Sequence, residues 1–245
     1  VFPLATSVRS VRPPLVTLLL IAMNVWVFLG ETHLRPEQLD AVVHLYGLVP
    51  LRQTVALRQA PGDLSLWLWP IFTSMFLHGG WAHIIGNMMF LWVFGAGLES
   101  RLGHARFLLF YLGAGVFAAQ AQVASAPLSV APMVGASGAI AGVIAGFVLL
   151  YPRARVFLML LLVFIPVFFS LPVLVFAGLW FAEQLLNGVV APLSGEAGRA
   201  GGVAWWAHIG GFLGGAALLP ILLDRQHQGH RPPHYAAPQH LNRPY

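Results

Sequence analysis

Ser137 is the one hydroxyl in the run Met133-Val134-Gly135-Ala136-Ser137-Gly138-Ala139-Ile140-Ala141-Gly142. Walls of Gly and Ala let another backbone, or a substrate, come close to it. A serine hydroxyl is a weak nucleophile until an adjacent base takes its proton. His208, in Ala207-His208-Ile209-Gly210-Gly211, is a side chain suited to that task. An acyl-transfer intermediate also needs donors for its oxyanion. His83 and Asn87 are four residues apart, so they share one helix face and offer a ring N–H and an amide. The backbone N–H groups at Ser137 and Gly138, at a helix start, add to these donors.

Each of these residues also has a plainer reading. Gly138, Gly142 and Gly146 have the small-xxx-small spacing of packed membrane helices, and Ser, His and Asn bond across such contacts. His78 stands before Gly79-Gly80 and reads as structural or interfacial. His78 and His83 are five apart, which would place them on different faces of a helix, with no acid or Cys nearby. The H-E-x-x-H pattern of zinc proteases is absent, so no metal is expected.

The elements that must position these groups follow from composition. Of 245 residues, 58% are hydrophobic and 9% are charged. Soluble domains carry about 25% charged residues. So few charges cannot cover a soluble surface, and the expected class is an all-α integral membrane protein of one domain. With no cysteine there is no disulfide, thiolate metal site or cysteine nucleophile. All 13 basic residues are Arg, spread among loops and the tail rather than gathered on one stripe. That pattern points to membrane orientation and not to nucleic acid.

The apolar runs predict six spans: Pro13 to Gly30, Trp81 to Leu102, Phe107 to Val123, Ser137 to Tyr151, Pro172 to Leu186 and Val203 to Leu223. Two Arg before the first run are also a signal-peptide feature, but no small-residue cleavage site follows it, so an uncleaved span is expected. Glu31 to Pro70 reads as a long loop. Its pieces Ala41 to Tyr46 and Leu64 to Trp69 are amphipathic and suited to the membrane interface. Residues 156–171 read as a broken or interfacial stretch interrupted by Pro166. Residues 225–245 read as a disordered tail, leaving 1–224 as the domain. Six spans put both termini on one side, and nine Arg against four place that side in the cytoplasm. Ser137 then lies about 21 Å, and His208 about 24 Å, from the cytoplasmic ends of their parallel helices. Polar groups held together at such a depth tend to be functional. A transporter would show mid-span acids or an internal repeat, and neither is found.

At these residues the chain resembles the rhomboid family of intramembrane serine proteases. The matching pieces are His78-Gly-Gly-Trp-Ala-His83-Ile-Ile-Gly-Asn87, Glu99-Ser-Arg101-Leu-Gly103, Gly135-Ala-Ser137-Gly138 and Ala207-His208-Ile-Gly-Gly211. The resemblance implies a six-helix bundle with a membrane-lying first loop. It implies Ser137 as nucleophile and His208 as base in a dyad without an acidic third member, with His83 and Asn87 in the oxyanion hole. Glu99 and Arg101 would tie cytoplasmic helix ends together. Substrates would be membrane proteins with a destabilised transmembrane segment, cut near its outer end within the lipid bilayer, and no cofactor is implied. The alternative is a non-catalytic member of the same fold that binds membrane proteins. A bacterial inner membrane is the expected location. Two positions depart from the family pattern. Trp69 is followed by Pro70 and not by Arg, and the aromatic that often follows the serine by four is Ala141. Trp205 or Trp206 is expected to supply the missing ring beside His208.

Overall fold

The computed structural model describes residues 2–193 and 204–223. The tail at 225–245 and the start of the sixth expected span lie outside the described residues. In chain order the elements are β1 (Phe2–Thr6), α1 (Leu15–Glu31), α2 (Pro36–Tyr46), α3 (Pro50–Gln59), α4 (Leu64–Trp67), α5 (Trp69–Thr73), α6 (Trp81–Phe90), α7 (Ala96–Leu102), α8 (His104–Ser125), α9 (Ser137–Leu150), β2 (Arg155–Leu162), β3 (Ile165–Pro172), α10 (Val173–Leu193) and α11 (Trp205–Leu222). A π turn over Leu91–Gly95 joins α6 to α7, so Trp81–Leu102 is one continuous rod. Four helices among the described residues are long and apolar enough to cross a membrane: Trp81–Leu102, His104–Ser125, Val173–Val190 and Trp205–Leu222. Helix α1 and helix α9 are apolar but shorter.

Helix α9 is the axis of the fold. Every residue from Gly138 to Val148 is buried. A helix apolar all round is buried, in a protein core or in a membrane, and here neighbouring helices cover it. Its glycines show how it is gripped. A Cβ on Gly211 of α11 would strike the Gly138 carbonyl oxygen, and one on Gly215 would sit 2.5 Å from the Gly142 carbonyl oxygen. Backbones this close need glycine on both faces, as the small-residue spacing indicated. Gly146 departs from that pattern. It faces Phe110 of α8 and Leu98 of α7, with a Cβ 2.9 Å and 3.1 Å from their side chains, and not α11.

At the other end of α9, Glu99 knits three helices. Its carboxylate accepts from Val16 N and Thr17 N at 2.8 Å each and from Thr17 Oγ1 at 2.6 Å. It thereby satisfies the first N–H groups of α1, which no residue of α1 caps. His104 Nδ1 at the start of α8 lies 2.6 Å from Oε1, the oxygen that also accepts from Val16 N. Gly103, at φ +79°, provides the sharp reversal between α7 and α8. Glu99 is 1% exposed, so each donor it satisfies would otherwise be stranded. Glu99→Gln is expected to lower stability by about 2–3 kcal/mol, from weakened charge-assisted bonds. A fall in the thermal midpoint of the detergent-solubilised chain checks this.

Three expectations change. The chain is not all-α: β1, β2 and β3 form an antiparallel sheet in that order. Residues 155–172 make a hairpin whose strands pair from Arg155↔Pro172 to Leu162↔Ile165. Its run of Val, Leu, Phe and Ile is continuous, so it carries no periodicity that separates strand from helix. Pro166 fits because β3 is an edge strand, where a missing N–H is tolerated. At the tip, Val163 (82% exposed) and Phe164 (87% exposed) stand free, and Val163 takes φ +58°. The outer half of the hairpin is apolar on both faces, which suits lipid and not water.

The stretch 31–70 is likewise not a loop but four short helices, α2 to α5. Pro36, Pro50 and Pro70 each stand in a first helical turn, where a missing N–H costs nothing. This gives the Trp69-Pro70 pair a physical role: it starts α5. The third change concerns His78 and is described with the site.

Candidate active site

The loop before α9 is held from two sides. Leu48 and Met133 exchange backbone bonds of 3.0 and 2.8 Å, and Gly135 N donates to Ser74 O at 2.8 Å. These fix the approach to Ser137, the first residue of α9. His208 lies in the first turn of α11, which packs on α9 through the glycines described above. The result is a His208 Nε2 to Ser137 Oγ distance of 2.8 Å, a direct hydrogen bond. Both sequence-derived candidates are thus brought together across 71 residues of chain. Gly211 serves this contact by admitting the Gly138 carbonyl.

Gly135 adopts φ +119°, and its bare α-carbon faces the second pair. A Cβ there would lie 2.6 Å from His83 Cε1, 2.7 Å from His83 Nε2 and 3.5 Å from Asn87 Nδ2. His83 and Asn87 of α6 do share a face, and it is turned to the serine loop. Gly79 N donates to His83 Nδ1 at 3.4 Å, which leaves the proton on Nε2, the nitrogen near Gly135.

His78 precedes α6 and is not on it, so the helical-spacing argument that separated it from His83 fails. The two rings approach edge to face, with centroids 5.1 Å apart. His78 is buried, and burial, together with the neighbouring His83, pushes its imidazole down to about 4. It is therefore neutral at pH 7. Its Nδ1 faces the Phe76 carbonyl at 3.2 Å and must carry the proton, so its Nε2 accepts from Asn87 Nδ2 at 3.0 Å. His78 orients Asn87. The backbone N–H of His78 donates to the Glu31 carboxylate, 3.2 and 3.3 Å from the two oxygens. Glu31 and this tether had no signal in the sequence beyond one acid at the end of an apolar run.

Around His208, sequence reasoning located one partner and missed two. Trp205 presents its ring edge-on, with centroids 6.3 Å apart. Trp180 of α10 lies nearer, at 5.8 Å and tilted 37°. Trp206 is turned toward Gly188. Ala141 itself is fully buried. The second missed residue is Gln184, also on α10, whose Oε1 is 2.6 Å from His208 Nδ1. Glu99 lies at the far end of α9 from Ser137 and has no part in this cluster. Arg101 is half-buried in the last turn of α7.

A cavity of about 670 Å³ opens onto the cluster, lined by Ser137, His208, His83, Asn87 and Trp180 and reaching Asp40 and His44 on α2. It brings a serine hydroxyl, an imidazole and N–H donors into one space, next to a wall of small residues. Groups in that arrangement suit acyl transfer to and from a peptide carbonyl.

The apolar bundle, with four helices among the described residues long enough to cross a bilayer, fits an integral membrane protein. The Rhomboid domain family matches residues 66–225, more than half of the chain, and the chain belongs to that family. It is 36% identical over 109 residues to the putative rhomboid protease YdcA of Bacillus subtilis (strain 168), covering 42% of this chain and 54% of that one. To rhomboid protease GluP of the same organism it is 43% identical over 74 residues, 30% of this chain and 14% of that one. To the mitochondrial rhomboid protein 1 of Saccharomyces cerevisiae it is 32% identical over 149 residues, 59% of this chain and 39% of that one. The matches span about half or less of the length of these relatives.

Proposed function

We propose that the chain is an intramembrane serine endopeptidase that cuts transmembrane segments of membrane proteins, with Ser137 as nucleophile and His208 as base. The observation that carries this is the 2.8 Å bond between His208 Nε2 and Ser137 Oγ inside a cavity. His208 takes the hydroxyl proton as Oγ attacks the scissile carbonyl carbon. The oxyanion is met by His83 Nε2–H, the free Asn87 amide hydrogen and the backbone N–H groups at Ser137 and Gly138. The C–N bond breaks as His208 returns the proton to the leaving amine. Water, deprotonated by the same nitrogen, then releases the acyl group from Oγ.

In this reading the four long helices, α1 and α9 form six spans, α2 to α5 lie along the membrane, and residues 1–224 act as one domain. Helix α9 has 14 residues, a length of about 21 Å against a hydrocarbon core of about 30 Å. Its serine end therefore sits below one surface, in a cavity enclosed by protein and not by lipid. The membrane is a bacterial inner membrane, with both ends of the domain facing the cytoplasm. Suitable substrates have a transmembrane segment that unwinds easily, because an intact helix hides its carbonyls.

The test is labelling by a fluorophosphonate, a covalent serine probe. The native chain is expected to be labelled at one residue, Ser137, and His208→Ala to lose the label. Absence of labelling in a folded native chain would favour the non-catalytic binding reading. Asn87→Ala, which removes one oxyanion donor, is expected to lower kcat by about 10²–10³-fold with little change in KM. Progress curves with a cleavable transmembrane reporter measure it.

A further inference from the structure

We propose that Gln184 is a positioning residue that sets the protonation pattern of His208, so that the site works as a Ser137–His208–Gln184 relay with a neutral third member. This rests on the protease reading above. Gln184 Nε2 lies 3.2 Å from the backbone carbonyl of Trp180, one turn earlier on α10. A carbonyl oxygen only accepts, so the NH₂ group must face it. That fixes the amide, and Oε1 is the atom 2.6 Å from His208 Nδ1. An amide oxygen only accepts as well, so His208 must carry its proton on Nδ1. The remaining nitrogen, Nε2, then presents a lone pair to Ser137 Oγ at 2.8 Å. With the opposite tautomer His208 could only donate to the serine and could not take its proton.

The chain of bonds runs from the backbone of α10 to the nucleophile of α9 with each donor and acceptor determined. Gln184 is 3% exposed and its bond to His208 is buried, so water does not compete for His208 Nδ1. Trp180 contributes twice: its carbonyl holds the amide, and its ring flanks the imidazole. A glutamine also suits the surroundings. A buried carboxylate would carry a desolvation cost of several kcal/mol, whereas an amide dipole orients the ring without a net charge. The other titratable groups around this space are His83 on α6 and, at its outer end, Asp40 and His44 on α2. Glu183, next to Gln184, is on the exposed side of α10. None of them supplies an acceptor to His208 Nδ1 in the bonds described.

The experiment uses the full chain in lipid vesicles with a transmembrane reporter. It compares native, Gln184→Met, Gln184→Glu and Ser137→Ala, with rates normalised to the folded fraction. Methionine keeps the length and bulk of glutamine but offers the ring no strong acceptor. The expected result is a kcat for Gln184→Met reduced by about 10–100-fold at unchanged KM. Gln184→Glu, which in its neutral form keeps both an acceptor for His208 Nδ1 and an O–H donor for the Trp180 carbonyl, is expected to recover most of that loss. Native-like kcat in Gln184→Met would overturn the proposal, because a residue that merely fills space is replaced by methionine without loss. Equal losses in the Met and Glu variants would overturn it too. Failure of the underlying reading looks different: the native chain cleaves nothing, or Ser137→Ala cleaves as well as native.

Discussion

Replacing His208 with alanine is expected to reduce cleavage of a transmembrane reporter by about four orders of magnitude or more. The bound substrate should be held about as well as before. The reason lies in how few alternatives the site offers. The only partner shown for Ser137 Oγ among the described residues is His208 Nε2, at 2.8 Å. His83, the next imidazole lining the cavity, faces Gly135 with a nitrogen that already bears a proton, and so cannot act as base in its place. Without His208 the hydroxyl stays protonated, and positioning plus the oxyanion donors supply what rate is left. Single-turnover measurements with excess enzyme separate this chemical loss from any change in binding. A loss below about tenfold would show that another group takes the serine proton.

The second large effect is expected at Gly211, which touches no reacting atom. A valine there would drive its Cβ into the Gly138 carbonyl oxygen, with the Gly138 carbonyl carbon 2.8 Å away. Backbone atoms cannot rotate aside as a side chain can, so α11 and α9 must separate. Overpacking of this kind costs about 1–3 kcal/mol or more. Misplacing catalytic groups by about 1 Å costs about 10²-fold in rate. Gly211→Val is therefore expected to lower the thermal midpoint and, in the fraction that remains folded, to lose about 10²-fold or more in kcat. Gly178→Ala on α10 is the control, since a Cβ there meets nothing within 4 Å. Its stability should be unchanged or slightly raised.

Much of the candidate site could be read in the chain because it is written in residue types with few other uses. A serine among glycines, and a histidine ahead of Gly210-Gly211, signal close helix contact, and helix contact is what brings the pair together. The four-residue spacing of His83 and Asn87 holds because both lie on α6. The same rule failed for His78 because α6 begins at Trp81, three residues after it. Helix periodicity says nothing about a side chain just outside the helix.

Gln184 was hidden for a different reason. One glutamine beside an exposed glutamate near the end of an apolar helix looks like a solvated end, and only three-dimensional packing turns it inward. The hairpin at 155–172 was hidden by uniformity: with apolar residues on both faces, neither a period of two nor one of 3.6 stands out. Its partner strand, β1, lies more than 140 residues away in the chain, with Phe2 opposite Met159. Three of the four short helices between residues 36 and 73 have in their first turn a proline, which is readable equally as a loop residue.

The most direct test of the central claim is cleavage of a reporter with a helix-destabilised transmembrane segment in vesicles, native chain against Ser137→Ala. The products should be identified by mass. The expected result is one main cut within the segment by the native chain and none by Ser137→Ala, with both chains binding the reporter equally. Equal binding with no cut by either chain, or the same cut by both, would contradict it.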